Sequence, residues 1–125
     1  MNDKKIWIII AAVSGFTAVA IGAFGAHGLK GRLSAEMIET YKTGVLYHLI
    51  HSIAILAIAL TDKIKGKIVM SFFLAGIFFF SFSLYFYSVM NERIFAMITP
   101  VGGVSFLLGW LSLVFAVMRS KVNEV

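Results

Sequence analysis

Long apolar runs separated by short polar segments dominate the pattern of residues along the chain. Four runs are present, at residues 6–26, 45–60, 68–90 and 94–118. A helix needs about 20 apolar residues to cross the hydrocarbon layer of a bilayer, so the first, third and fourth runs are long enough. The second run is shorter and must use part of its polar flanks. The pattern predicts an all-α integral membrane protein with four transmembrane helices.

These runs occupy almost the whole chain of 125 residues. We therefore expect a single four-helix transmembrane domain over residues 1–125, with spans at about 6–26, 45–61, 68–90 and 94–118. The first run is longer than the apolar core of a signal peptide, so we expect it to stay attached as a membrane helix.

The polar segment between the first two runs has the pattern of an amphipathic helix. Ser34 can cap a helix that begins at Ala35, with Leu33 and Ile38 in contact across the cap. We expect a short amphipathic helix at the membrane surface between the first and second spans. It either stands alone or runs straight into the second span.

Small residues recur at helical spacing in the first and fourth runs. Lipid provides no hydrophobic drive for helix pairing, so such residues mark faces where two backbones approach closely. These faces serve either contact within one chain or self-association, and we expect the two series to face each other. The predicted helix-packing residues are Ser14, Ala18, Gly22, Gly25, Gly102, Ser105 and Gly109.

Thr99 and Pro100 lie near the start of the fourth run and allow two interpretations. Thr99 caps a helix whose first residue is Pro100, or one continuous helix is kinked at Pro100.

Composition supports membrane insertion and narrows the function. The chain is 60% hydrophobic and 14% charged, far more apolar than a soluble domain. It contains no cysteine, which excludes disulfides and thiolate metal sites. The net charge of +5 is explained by Lys and Arg residues that flank membrane spans, so we expect no nucleic-acid partner.

The basic residues also predict the orientation of the chain. Seven lie on the side of the termini and four on the other side, which places both termini in the cytoplasm. The seven are Lys4, Lys5, Lys63, Lys65, Lys67, Arg119 and Lys121, and the four are Lys30, Arg32, Lys42 and Arg93.

This topology brings polar residues of the apolar segments to a similar depth in the outer leaflet. Ionisable groups at that depth usually face the bundle interior or a wet cavity. We expect a shared outer-leaflet pocket there, with polar groups at its rim and phenylalanines below. The candidate ligand-binding residues are His27, His48, His51, Ser81, Tyr85 and Thr99.

Four interpretations of the three histidines remain open. They form hydrogen bonds between helices, or they line a cavity for a lipid headgroup or small amphiphile. Alternatively, His27 holds haem or a metal together with His48 or His51. The fourth interpretation is proton-linked chemistry.

Several motifs resemble a small membrane family known as domain of unknown function number 423. They are Gly22–Gly28, Tyr47–His51, Ser83–Tyr85, Ile98–Gly103 and Gly109–Trp110, in matching order and spacing over most of the chain. His48 stands where the family pattern has glutamine, so the resemblance favours His27 and His51 as site residues. It implies a bacterial inner-membrane protein with several helical spans and brings no established activity.

Taken together, the sequence predicts a multi-pass protein of the bacterial plasma membrane that binds a lipid or small amphiphile. The alternatives are a non-catalytic subunit of an assembly, with an unidentified membrane protein as partner, and a haem or metal redox protein. We expect membrane lipids as partners, a homo-oligomer, no cofactor and no enzymatic activity. A small exporter is disfavoured because every carboxylate lies in a predicted loop, terminus or edge. The carboxylates are Asp3, Glu36, Glu39, Asp62, Glu92 and Glu124.

Overall fold

Four helices make up most of residues 1–120, the part of the chain that the computed structural model describes. They are α1 (Asp3–Gly28), α2 (Ala35–Leu60), α3 (Lys67–Met90) and α4 (Arg93–Met118). Each is long and apolar enough to cross a membrane. The prediction of an all-helical protein with four spans is confirmed. Lys121 and Glu124, used above for orientation and for the exporter argument, lie outside the described residues.

Local sequence explains where several of these helices begin and end. The Asn2 side chain caps α1 by accepting from the amide of Lys5 at 2.9 Å. Ser34 caps α2 by accepting from the amide of Met37 at 3.2 Å, as predicted. Asn91 adopts the left-handed conformation, with φ of 54°, and so ends α3.

The prediction of a separate short amphipathic helix is wrong. α2 begins at Ala35 and continues without a break to Leu60, so the amphipathic segment forms its first turns. Residues 35–60 contain no proline, and their single glycine, Gly44, is buried within the helix. The continuous helix therefore places Tyr41 and His48 on one rigid element.

Pro100 lies inside α4 and does not begin it. The helix already starts at Arg93, so Thr99 is not its cap. The Thr99 hydroxyl instead lies 2.7 Å from that of Ser83 on α3. The proline has no amide proton, so the backbone bond to the preceding turn is missing at that point.

A π-helical segment interrupts α3 from Ile77 to Phe82. Both neighbouring helices approach this segment through a glycine. A Cβ atom added to Gly102 of α4 would overlap the backbone of Phe79 and Phe80, and one added to Gly44 of α2 would lie 3.2 Å from the Ser81 carbonyl oxygen. The wider π turn and the two glycines together let three backbones lie close.

The helices pack in sequential pairs. α1 lies along α2, α4 lies along α3, and α2 contacts α3 between them. The expected pairing of α1 with α4 is therefore wrong, since those two helices share no extensive contact among residues 1–120. The small residues of each helix instead face its sequence neighbour.

Three contacts show how the small residues let paired helices approach each other. A Cβ atom added to Gly25 would overlap the ring of Tyr41, and one added to Gly22 would lie 3.1 Å from Val45. Between α3 and α4, the Ser105 hydroxyl donates to the carbonyl oxygen of Phe72 at 2.7 Å. Ala18 is fully buried, and Ser14, Gly102 and Gly109 are also buried.

Two apolar clusters lie at different levels of the bundle. The larger lies toward the end with the N-terminus and includes Trp7, Ile55, Phe73 and Phe106. The smaller, near the opposite end, contains Leu29, Tyr41 and Tyr85. The buried polar residues described next lie between them.

Candidate functional site

Four polar side chains form a connected hydrogen-bond chain at the centre of the bundle. The Tyr85 hydroxyl lies 2.9 Å from Nδ1 of His48, and Nε2 of His48 lies 3.2 Å from Oγ of Ser14. Oγ of Ser14 is 2.6 Å from Oγ of Ser52. Ser52 completes the chain by donating to the backbone carbonyl oxygen of His48 at 2.7 Å. We refer to these four residues as the polar chain; it joins α1, α2 and α3.

The direction of each hydrogen bond in the polar chain can be assigned. Because Ser52 gives its proton to a carbonyl oxygen, Ser14 must donate to Ser52. Ser14 can then only accept from His48, so Nε2 carries the imidazole proton. Nδ1 is left as an acceptor for the Tyr85 hydroxyl. One neutral tautomer of His48 therefore satisfies all four groups.

This assignment determines what the polar chain can offer to another molecule. All four side-chain protons already have acceptors, so no donor is free. The hydroxyl oxygens of Ser14 and Ser52 each keep a second lone pair. The site can therefore accept a hydrogen bond but has none to donate.

The polar chain lies near the middle of the membrane span. Ser14 is eleven residues from the start of α1 and fourteen from its end, about 16 and 21 Å along the axis at ~1.5 Å per residue. His48 is 1% exposed and Ser52 is 2% exposed. The sequence pattern predicted a site nearer one surface, in the outer leaflet.

Aromatic rings hold Tyr85 in place. The ring centroid of Tyr41 lies 5.3 Å from that of Tyr85, and that of Phe82 lies 5.5 Å away. Tyr41 is anchored in turn, because its hydroxyl donates to the carbonyl oxygen of Ile21 at 2.6 Å. The donor to His48 is therefore positioned by Phe82 on its own helix and by Tyr41 on α2, which α1 anchors.

A cleft of about 340 Å³ between α1 and α3 leads to the polar chain. Its polar lining residues are Ser14, Thr17 and His48, and its other lining residues are apolar. Val13 and Phe78 at the rim are each 59% exposed, so the cleft opens on the lipid-facing surface. The residues that line it are Ile9, Ile10, Val13, Ser14, Thr17, His48, Leu74, Ile77, Phe78 and Phe82.

A second groove, of about 730 Å³, lies beside the cleft along α3. It shares Leu74, Phe78 and Phe82 with the cleft, and phenylalanine is the most frequent residue in its lining. The stacked rings of Phe78 and Phe82 contribute to both, with centroids 5.6 Å apart. Ser83 is a polar residue in this groove, and its proton goes to the carbonyl oxygen of Phe80 at 2.8 Å.

His51 faces α4 and does not join the polar chain. Its Nδ1 donates to the carbonyl oxygen of Tyr47 at 2.8 Å, and its Nε2 accepts from the Trp110 indole at 3.1 Å. The imidazole stacks on Phe106 with ring centroids 3.7 Å apart. Both ring nitrogens thus have partners, but only Nε2 joins α2 to α4. His51 has the opposite neutral tautomer to His48.

The other predicted site residues lie apart from one another. His27 is exposed at the end of α1, thirteen residues or about 20 Å along the axis from Ser14. Thr99 pairs with Ser83 near the same end. Ser81 is fully buried, and its hydroxyl has no hydrogen-bond partner within residues 1–120. The structure thus unites only His48 and Tyr85 of the six, and the expected pocket shared by His27 and His51 does not form.

The histidine pairs suggested as haem or metal ligands are not assembled. His27 is far from His48, and both nitrogens of His48 and of His51 have protein partners. Within the described part of the chain, no three His, Cys, Asp or Glu residues are grouped to hold a metal ion.

Sequence reasoning did not identify Ser14, Ser52 or Trp110 as partners of the histidines. Ser14 was expected only to pack helices, although a hydroxyl in a small-residue series is itself a signal. Ser52 lies four residues after His48, a spacing that places both on one helix face. Trp110 carried no signal for its role, because its position opposite His51 depends on how α4 packs.

The chain is similar to membrane proteins of unknown function. Residues 21–103 match the family described as "Protein of unknown function (DUF423)". The chain is 41% identical to a "UPF0382 membrane protein" of Haemophilus influenzae, with 94% of this chain and 98% of the relative covered. It is 40% identical to "UPF0382 membrane protein YwdK" of Bacillus subtilis, covering 92% and 98%.

The Escherichia coli K12 protein "UPF0382 inner membrane protein YgdD" is also 40% identical, with 98% of this chain and 96% of the relative covered. No solved structure matches the chain. The names of these relatives assign no reaction or ligand.

Proposed function

This chain belongs to the DUF423 family of membrane proteins, for which no activity is established, and on that premise we propose that it binds a small membrane-soluble amphiphile in the cleft between α1 and α3. One observation carries the proposal. A mainly apolar cleft that opens toward lipid is lined by Ser14 and His48, which are polar and lie near the middle of the span.

The free hydrogen-bonding capacity of the site selects the ligand's polar group. Since the polar chain has spare lone pairs but no spare proton, the ligand must donate. A hydroxyl can donate to the second lone pair of the Ser14 oxygen without breaking any bond within the polar chain. A ligand that can only accept would have to displace Ser52 or His48.

The depth of the site limits the size and charge of that polar group. A hydroxyl without a hydrogen-bond partner is costly in hydrocarbon. An acceptor at mid-depth therefore favours a ligand that carries a hydroxyl. A charged headgroup stays at the membrane surface, about 16 Å or more from Ser14 along α1. We therefore narrow the ligand to an amphiphile with a single small donor, such as a long-chain alcohol.

The walls of the cleft suit the rest of such a molecule. Most lining residues are apolar, and Phe78 and Phe82 offer flat faces along α3. An apolar pocket with few polar groups is the usual composition of a small-molecule site. In this site the apolar walls hold the alkyl chain, and Ser14 fixes the hydroxyl.

The probe that tests this proposal is 1-hexadecanol with a photoactivatable diazirine on its chain. Its matched control is the methyl ether with the same diazirine, which has no proton to donate. With the full chain in lipid nanodiscs, we expect the alcohol to label residues around Val13 and Phe78 and unlabelled 1-hexadecanol to compete. The ether should label these positions several-fold less.

A pair of substitutions on α1 controls for general lipid contact. Val13 lines the cleft and is 59% exposed, whereas Val19 is 62% exposed and does not line it. Val13→Phe should fill the cleft and reduce labelling, and Val19→Phe should leave it unchanged. Equal labelling by alcohol and ether, or equal effects of the two substitutions, would rule out the proposed site.

A further inference from the structure

A cavity of about 830 Å³, separate from the cleft and the groove described above, lies at the end of the bundle that carries the chain termini. It is formed by the connection between α2 and α3 and by the last turns of α4. Its charged lining residues are Asp62, Lys63, Lys65 and Arg119. It is remote from the polar chain and independent of the function proposed above.

Asp62 is the carboxylate in this cavity, and its charge is already neutralised by Lys4, which does not line the cavity. Both oxygens of Asp62 accept from Nζ of Lys4 on α1, at 3.0 and 3.1 Å. Asp3 is paired in the same way, with Lys67 at 3.4 Å. These two ion pairs tie the start of α1 to the connection between α2 and α3.

The remaining basic residues at this end give a positive excess. Six basic residues and two acidic residues lie here within residues 1–120, and each acidic residue is paired with one lysine. Four cations are left: Lys5, Lys63, Lys65 and Arg119. Three of these four line the cavity, so the positive charge is concentrated there.

Most of the uncharged residues that line the cavity are apolar, and Ser112 and Ser120 are the others. Ile64, Ile68, Val69 and Phe115 line it, and Ile68 and Phe115 are exposed at the ends of membrane helices. Charged and apolar surfaces therefore meet at the level where a helix leaves the hydrocarbon. Phospholipids have the same arrangement at that depth, with a phosphate outside and acyl chains inside.

We propose that this cavity binds a phosphate group, with Lys63, Lys65 and Arg119 as its cationic ligands. Arg119 supplies a planar fork that matches phosphate oxygens, and the two lysines supply point charges. Basic pockets between membrane helices commonly hold anionic lipid headgroups. The apolar residues below the cations favour the phosphate of an anionic phospholipid, with free inorganic phosphate as the other source of the same chemistry.

Native mass spectrometry of the full chain from nanodiscs tests this proposal. The discs contain phosphatidylglycerol and phosphatidylcholine in equal amounts, and retention of each lipid by the protein is measured. We expect preferential retention of phosphatidylglycerol. In the variant with Lys65→Gln and Arg119→Gln, that preference should fall about 25-fold, because each cation near the membrane surface contributes roughly fivefold.

The control variant carries Lys5→Gln and Lys30→Gln, which removes the same net charge outside the cavity. It should retain phosphatidylglycerol as the unmodified protein does. An equal loss of phosphatidylglycerol preference in both variants would overturn the proposal. The lipid would then be attracted by the overall positive charge of the protein and not by the cavity. Thermal melting of both variants checks that they fold, which is expected because the substituted side chains are exposed.

Addition of inorganic phosphate distinguishes the two sources. If millimolar phosphate raises the melting temperature of the unmodified protein, and Lys65→Gln with Arg119→Gln abolishes the rise, free phosphate occupies the site. If phosphatidylglycerol is retained and phosphate has no effect, the lipid occupies it. If phosphatidylglycerol is not preferentially retained and phosphate does not raise the melting temperature, the proposal is contradicted.

Discussion

Tyr85 on α3 donates its hydroxyl proton to Nδ1 of His48 on α2 across 2.9 Å, a direction that follows from the donation by Ser52 to the His48 carbonyl oxygen. Because Nδ1 accepts, Nε2 carries the proton and donates to Ser14. The oxygen atoms of Ser14 and Ser52 then keep lone pairs for a further donor, and the cleft reaches Ser14 from the lipid side.

Removal of the Tyr85 hydroxyl should destabilise the protein. Tyr85→Phe leaves Nδ1 of His48 buried without its donor, and we expect a loss of about 0.6 to 2 kcal/mol in the free energy of unfolding. Unfolding by titration with a denaturing detergent measures it. Tyr87→Phe is the control, because the Tyr87 hydroxyl forms no hydrogen bond to the residues described; equal losses in both variants would refute the assigned contact.

The two buried histidines should have opposite neutral tautomers. His48 carries its proton on Nε2 and His51 on Nδ1, because each proton is directed by a fixed acceptor. One-bond 15N–1H couplings in protein with 15N-labelled histidine identify the protonated nitrogen of each ring. A spectrum in which both residues share one tautomer would invalidate the assignment.

Adjacent glycines on α4 should respond very differently to the same substitution. A Cβ atom on Gly102 would overlap the backbone of Phe79 and Phe80, whereas one on Gly103 would lie 3.8 Å from the Phe80 ring. Gly102→Ala should cost about 1–3 kcal/mol by overpacking, since a backbone cannot move aside as a side chain can. Gly103→Ala should be tolerated or slightly stabilising. Thermal melting in detergent compares them, and a similar loss in both would show that α4 does not approach the π-helical segment so closely.

The four spans could be predicted because hydrophobic length alone decides whether a helix can cross a membrane. The cap at Ser34 was also predictable, because capping depends on neighbours within one turn. By contrast, the contact of Tyr85 with His48 depends on the π-helical segment between Ile77 and Phe82. A π turn contains an additional residue and so changes which later residues of α3 face α2. No pattern in the sequence marked it.

Helix pairing was mispredicted for a related reason. The small residues of α1 and α4 correctly indicated close approach, but spacing within one helix does not specify the partner. Gly25 packs on Tyr41 and Gly109 on Phe73, each on the neighbouring helix in the chain. For the same reason, His48 and His51 were expected in one pocket. The His48 ring instead faces α1 and α3, and the His51 ring faces α4.

The orientation of the chain remains a prediction from the basic residues. The protein has no cysteine, so single cysteines can be introduced without background. In whole cells, a membrane-impermeant thiol reagent should label Asn91→Cys in the connection between α3 and α4. It should label Asn2→Cys only after the membrane is permeabilised. The reverse result would place the termini outside the cytoplasm.

The most direct measurement of ligand binding in the cleft is a titration of the 15N-histidine protein in nanodiscs with 1-hexadecanol. A hydroxyl that donates to Ser14 changes the acceptor of the His48 Nε2 proton, so the His48 resonance should shift and saturate. Those of His27 and His51 should stay unchanged, and hexadecyl methyl ether should shift none of the three. An unshifted His48 resonance, or equal shifts at His48 and His51, would contradict binding at the polar chain.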